Sequence, residues 1–195
     1  MRDFLQNLFV SATDFCVPGP DCHPDWTAWG ALITFLAVLV PAMQHERDRR
    51  DQRKEKVRKG HAAVRKFAYD AFDLGGQIES HLKFLPHMVQ MLTEVGPSYV
   101  SDVLRLRATI PTFDPIKEFD QISLAFNNLG IAVRSFNQVI ELGSEVHMDA
   151  PENHIFAKTD LLAKLLAEVE AARANAMHAM ETTVPGSTKN IRRVR

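Results

Sequence analysis

The sequence predicts an all-α protein: one transmembrane helix that continues into a cytoplasmic antiparallel helical bundle of about three long helices. Three observations predict it. Residues 26–43 are eighteen in a row without a charge. After them, apolar residues recur at three- and four-residue spacing in long runs, and no run alternates with the two-residue period of a strand. The charges are sorted by region, although 23 basic against 24 acidic residues nearly cancel.

That sorting divides the chain. Residues 1–25 carry one Arg and four Asp. Residues 44–66 carry ten Lys/Arg and four acids, residues 67–188 eight and sixteen, and residues 189–195 four basic groups and no acid. Asymmetry of this kind reports location more than fold. The expected organisation is an extracytoplasmic segment 1–25, a transmembrane helix 26–43, a basic juxtamembrane helix 44–59, a cytoplasmic bundle 60–184 and a disordered basic tail 185–195.

At about 1.5 Å per residue, residues 26–43 span roughly 27 Å, close to a hydrocarbon core of about 30 Å. Trp26 and Trp29 stand at the first edge, where indole rings favour the headgroup region. Arg47, Arg49, Arg50 and Arg53 follow the second. Pro41 lies in the last turn, where nearby interface can compensate the missing backbone donor. A buried core helix of a water-soluble protein would rarely be apolar on every face and then abruptly charged. A cleaved signal peptide fits poorly, because the 25 preceding residues are acidic and too long for an n-region. Eight Lys/Arg within 47–59, against Arg2 alone before the stretch, put the domain after Met43 in the cytoplasm and the N-terminus outside. The cysteines, Cys16 and Cys22, then face an oxidising space, where a disulfide would close a small Pro- and Gly-bent loop. The alternative is two free thiols in a flexible tail.

Residues 44–59 hold opposite charges at helical spacing, Glu46 with Arg50, Asp51 with Lys54 and Glu55 with Lys59, so the helix should continue out of the membrane. This neck can also meet anionic lipid heads. An apolar stripe follows at Val57, Val64, Phe67, Ala71, Leu74, Ile78, Leu85, Met88 and Leu92, with Gly75-Gly76 and Pro86 as weak points. Gly96-Pro97 ends it, and residues 98–109 are expected to form a short helix. Asp114 is expected to cap the next helix, with Pro115 in its first position and a stripe from Ile116 through Phe119, Ile122, Phe126, Leu129, Val133 and Phe136 to Ile140. A last helix is expected after the Asp149–Glu152 cap, with Ile155, Leu162, Leu165, Leu166, Val169, Ala172, Ala176 and Met180 inward. Three long helices joined by short turns should pack antiparallel. The phenylalanines fall mostly on these stripes and read as core.

No motif fixes a chemistry. The Glu-x-x-His pattern of di-iron bundles, His-Glu-x-x-His, Cys-x-x-Cys and phosphate-binding glycine loops do not occur. His178 with Glu181, and Glu141 with Glu145, share helix faces, as acidic helices often do by chance. The sequence therefore predicts no enzyme, no catalytic residue, no cofactor, no metal and no small-molecule substrate. The acidic bundle would repel phosphates, so nucleic acid is not an expected partner.

The run from Asp25-Trp-Thr-Ala-Trp-Gly to Ala-Val38, followed by Glu46-Arg-Asp-Arg-Arg-Asp-Gln-Arg-Lys54, resembles small single-pass bacterial inner-membrane proteins of unknown function. The resemblance covers about 35 residues. Some such proteins occur in phage-encoded or anti-phage settings, and the resemblance transfers no functional residue.

Three functions fit. The first is a non-enzymatic interaction or oligomerisation module held at the cytoplasmic face, with membrane lipid and either its own copies or a cytoplasmic protein as partners. The second is a membrane-active effector or channel subunit, its membrane helices meeting through Gly30 and Thr34. The third is a signal relay fed by the short outside segment.

Overall fold

The computed structural model describes residues 16–17, 23–24, 26–146 and 151–188, with the side chains of residues 16–17, 23–24 and 26–28 outside the description. The chain divides into two units, Met1–Glu55 and Lys56–Arg195. In the first, strands β1 (Cys16–Val17) and β2 (His23–Pro24) pair antiparallel, with Cys16 opposite Pro24. Cys22, one half of the expected bridge with Cys16, lies outside the described residues. Helix α1 (Trp26–Phe84) begins in this unit and includes Pro41 without interruption. Among the described residues no helix is long and apolar enough to cross a membrane, so the transmembrane helix expected at residues 26–43 is not supported by the structure. The neck pairs form as expected at Arg50–Glu46, 3.0 Å, and Lys54–Asp51, 3.5 Å.

The second unit is all-helical apart from its connections. It holds the later part of α1, a 3-10 turn at Leu85–His87, α2 (Met88–Val95), α3 (Pro97–Leu104), α4 (Asp120–Glu145) and α5 (Thr159–Thr183). The expected stripes form its core. On α1 and α2 every stripe residue from Val64 to Leu92 is buried, and Val57 is partly so. On α4 the same holds from Phe119 to Ile140, with Phe67 of α1 packed on Phe126 at a centroid distance of 4.6 Å.

The chain direction differs from the expectation. Gly60 lies against Phe119, and Phe67 against Phe126. The two positions advance together by seven residues, so α1 and α4 run parallel. Helix α5 is antiparallel to both: Gly143 near the end of α4 meets Ile155 and Phe156, just before α5. Arg173, further along α5, reaches back to Ala71 and Gly75 in the later part of α1.

The parallel pair exists because the connection before α4 is long and extended. Residues 98–109 were expected to be helical, but α3 stops at Leu104, and Arg105 is extended at φ −63°, ψ 117°. Residues 105–116 then form a strap. Twelve non-helical residues can cover up to roughly 40 Å at about 3.3 Å each, enough to return along the roughly 36 Å of α1 from Gly60 to Phe84. Pro111 and Pro115 suit this, since the residue before a proline avoids the helical region.

An extended strap has no ladder, so its backbone needs other partners. Successive residues present their groups to opposite sides, and two side-chain amides use both. Asn137 of α4 accepts from the Leu106 N–H at 2.9 Å and donates to its carbonyl at 2.9 Å. Gln77 of α1 accepts from the Arg107 N–H at 2.9 Å and donates to its carbonyl at 3.1 Å. Asn137→Ala strips two bonds from the buried Leu106. At about 1–3 kcal/mol for each buried group left unmet, a loss of roughly 2–4 kcal/mol is expected. Gln77→Ala, at an exposed site, should cost about 1 kcal/mol. Urea midpoints of the two variants in mild detergent check the order.

Asp114 caps no helix. Ile116 is extended at φ −128°, ψ 132°, a 3-10 turn occupies Lys117–Phe119, and α4 starts at Asp120. The Asp114 carboxylate instead lies 3.4 Å from Lys56 Nζ. The Asp149 cap lies outside the described residues. Before α5, His154 Nδ1 accepts the Phe156 N–H at 3.2 Å. Residues 185–188, expected within a disordered tail, form a turn pinned by Glu181, which accepts from the N–H groups of Gly186 at 2.7 Å and Thr188 at 3.2 Å.

Candidate functional site

The residues singled out in the sequence for a membrane face lie on the first part of α1. None of residues 29–43 is buried. Ile33 is 63% exposed and Val38 68%, with Phe35, Leu36 and Val40 also exposed between and beside them. The only hydroxyl on this stretch after Ala28 belongs to Thr34, and it donates to the Gly30 carbonyl at 2.8 Å. That bond hides the polar group within its own helix. Nothing lies within 4 Å of a Cβ placed on Gly30. Trp29 is exposed, as are Arg47, Arg49, Arg50 and Arg53.

Hollows lie among the described residues of the second unit. One of 480 Å³ runs between the strap and α4, lined by Ile110, Phe113, Phe126, Val133, Ser123, Asn127 and Arg134. Another of 350 Å³ has Lys56 and Lys59 above Phe113, Ile116 and Phe119. A polar one of 200 Å³ between α3 and α4 includes Ser98, Asp102, Arg105 and Glu141. In the first two, the apolar lining is the same set of side chains that seats the strap. Among the described residues no three His, Cys, Asp or Glu side chains gather to hold a metal.

Sequence reasoning missed three close approaches. Gly60 admits the Phe119 ring, Gly143 admits Phe156, and Gly75 admits the Arg173 guanidinium. Gly75-Gly76 is therefore not a bend. The helix passes through it, and Arg173, paired with Glu170, donates to the Ala71 carbonyl at 3.3 Å. A polar residue on an otherwise inward face of α5 was the available signal.

His81 was also missed. It is 6% exposed, and neither ring nitrogen completes a hydrogen bond of good geometry. Burial holds its pKa below the usual 6.5, and the Leu104 carbonyl at the end of α3 pulls weakly the other way. The folded chain thus keeps this ring neutral where the unfolded chain begins to protonate. Its contribution is fully present above pH 6.5 and is lost as pH falls below 6.5 toward the lowered folded value. His81→Leu should flatten stability between pH 7.5 and 5.5, read as urea midpoints across that range. An unchanged slope would remove His81 as its source.

No protein-family model, curated protein or solved structure matches this chain.

Proposed function

We propose that the chain is a single-pass membrane-anchored helical protein, a non-enzymatic interaction or oligomerisation module at the cytoplasmic face of a bacterial inner membrane. The observation that carries this reading is the apolar surface of residues 29–43, none of them buried and all but the half-buried Leu32 and Leu39 exposed. An exposed apolar patch of this extent needs cover, and lipid is the cover that suits every face at once. Those fifteen residues give roughly 22 Å of helix, short of a bilayer core of about 30 Å. Trp26, Thr27 and Ala28 complete the uncharged stretch and bring it to roughly 27 Å.

Orientation rests on the eight Lys/Arg within residues 47–59. The interaction role is supported by large apolar side chains left on outer faces of the second unit, among them Tyr69, Leu124, Ile131 and Leu142. Treating membranes that contain the full chain with an amine-reactive crosslinker tests it. Discrete adducts with the chain itself or with a cytoplasmic protein are expected. A chain that stays monomeric at every crosslinker concentration would contradict the reading.

A further inference from the structure

The inward stripe of α4 has a counterpart on the opposite side of the helix. Leu124, Asn128, Ile131, Ser135, Gln138 and Leu142 follow one another at intervals of 4, 3, 4, 3 and 4 residues. That is the alternation of a coiled-coil seam. All six are exposed, with Leu124 at 63%, Ile131 at 49% and Leu142 at 62%. None of them ionises. The helix has only four charged residues in all: Asp120, Arg134 and Glu141 lie off the seam, and Glu145, its last residue, stands one seam position beyond Leu142. Other outer faces are unlike this one: Tyr69 and Phe72 on α1 stand among Lys66, Asp70 and Asp73.

We propose that this seam docks a second copy of the chain through a parallel α4–α4 contact about a twofold axis. This rests on the oligomerisation reading above and names its partner and surface. Across a parallel twofold seam each residue meets its own copy. Leu124, Ile131 and Leu142 then meet like apolar groups. Asn128, Ser135 and Gln138 meet side chains that both donate and accept, and all three are unpartnered among the described residues. An antiparallel arrangement would set Ile131 against Ser135, leaving a hydroxyl facing an apolar group. Absence of charge matters most here, because any ionised seam residue would face its own sign. An Asn at such a position also fixes register. Ala125 and Ala132 flank the seam with small side chains that allow close approach.

The contact is small. A seam of roughly 27 Å between helices about 10 Å apart covers roughly 300 Å² per partner, against about 800 Å² for a stable dimer. Such a contact fills when both partners are confined, at effective concentrations in the millimolar range. It therefore suits two copies held in one membrane.

Single-cysteine variants Ile131→Cys, Leu124→Cys and Leu161→Cys test it, in the full chain with Cys16→Ser and Cys22→Ser. Mild oxidation in membranes should link Ile131→Cys and Leu124→Cys each to its own copy and leave Leu161→Cys, on α5, monomeric. Adding Ile131→Asp to the Leu124→Cys chain places like charges face to face. It should cut the dimer roughly tenfold or more, each tenfold equivalent to about 1.4 kcal/mol. A Leu124→Cys chain that links only when mixed with Leu142→Cys would overturn the parallel arrangement. Amine-crosslinked self-adducts without any seam disulfide would overturn the surface and leave oligomerisation standing. Loss of both would overturn oligomerisation as well.

Discussion

Leu36→Arg together with Val38→Arg is expected to move the chain out of the membrane fraction. Both positions lie near the middle of residues 26–43, and both side chains are exposed. Neither supports a packed core, and Arg is a good helix former, so the helix itself should survive. On the anchored reading the only large cost is that of placing charge at mid-bilayer, about 2.5–3.5 kcal/mol per residue on the insertion scale. Two such residues can outweigh the remaining apolar stretch. Sedimentation of membranes from cells making each chain reads the effect. The chain bearing both substitutions should be found mainly in the supernatant or in aggregates, while Leu36→Ala with Val38→Ala should stay in the pellet. If the two arginines left the distribution unchanged, residues 26–43 would not be the anchor.

Gly143→Val should unfold much of the second unit. A Cβ on Gly143 would lie 2.5 Å from the Phe156 ring and 2.7 Å from the Ile155 side chain. Phe156 cannot retreat: it is fully buried, with the His154 ring at 4.8 Å and its backbone N–H held by His154. Overpacking costs typically about 1–3 kcal/mol, and a branched side chain belongs at the upper end or beyond. Gly143→Ala gives a sharper comparison with Gly76→Ala. At Gly76 nothing lies within 4 Å of the added carbon. There the substitution should stabilise by up to about 1 kcal/mol through helix propensity. At Gly143 the same gain should be offset or exceeded by the clash. Opposite shifts in the urea midpoint are expected, and equal shifts would contradict the packing described.

The core was legible in the sequence because helical periodicity is a local property. The stripes from Val64 to Leu92 and from Phe119 to Ile140 could be read residue by residue, and all of their residues lie in the core, whereas Leu106 and Phe156, also buried, belong to no stripe. The arrangement of those helices was not legible. Antiparallel packing presumes short turns, and what reverses that presumption is the strap at 105–116. Its conformation is held by Gln77 and Asn137, each about thirty residues away in sequence. No local pattern announces an amide that serves a distant backbone. Asp114 misled for a related reason. Its position before Pro115 has the form of a cap, but the chain stays extended through Ile116 before it turns. The glycines carried a different ambiguity. Gly75 and Gly143 are weak points by propensity, yet each makes room for a side chain from elsewhere, and only the packed structure distinguishes these roles. The outer seam of α4 stands out only once its opposite face is buried.

Labelling with a membrane-impermeant maleimide tests the central claim most directly. Cells making the full chain are treated with a reductant and then labelled either intact or permeabilised. The anchored reading places Cys16 and Cys22 outside, so they should label in cells whose inner membrane is intact. A second chain carrying Cys16→Ser, Cys22→Ser and Val146→Cys, whose new thiol sits at an exposed position of the second unit, should label only after permeabilisation. Equal labelling of both chains before permeabilisation, or protection of both, would contradict a single span with the N-terminus outside.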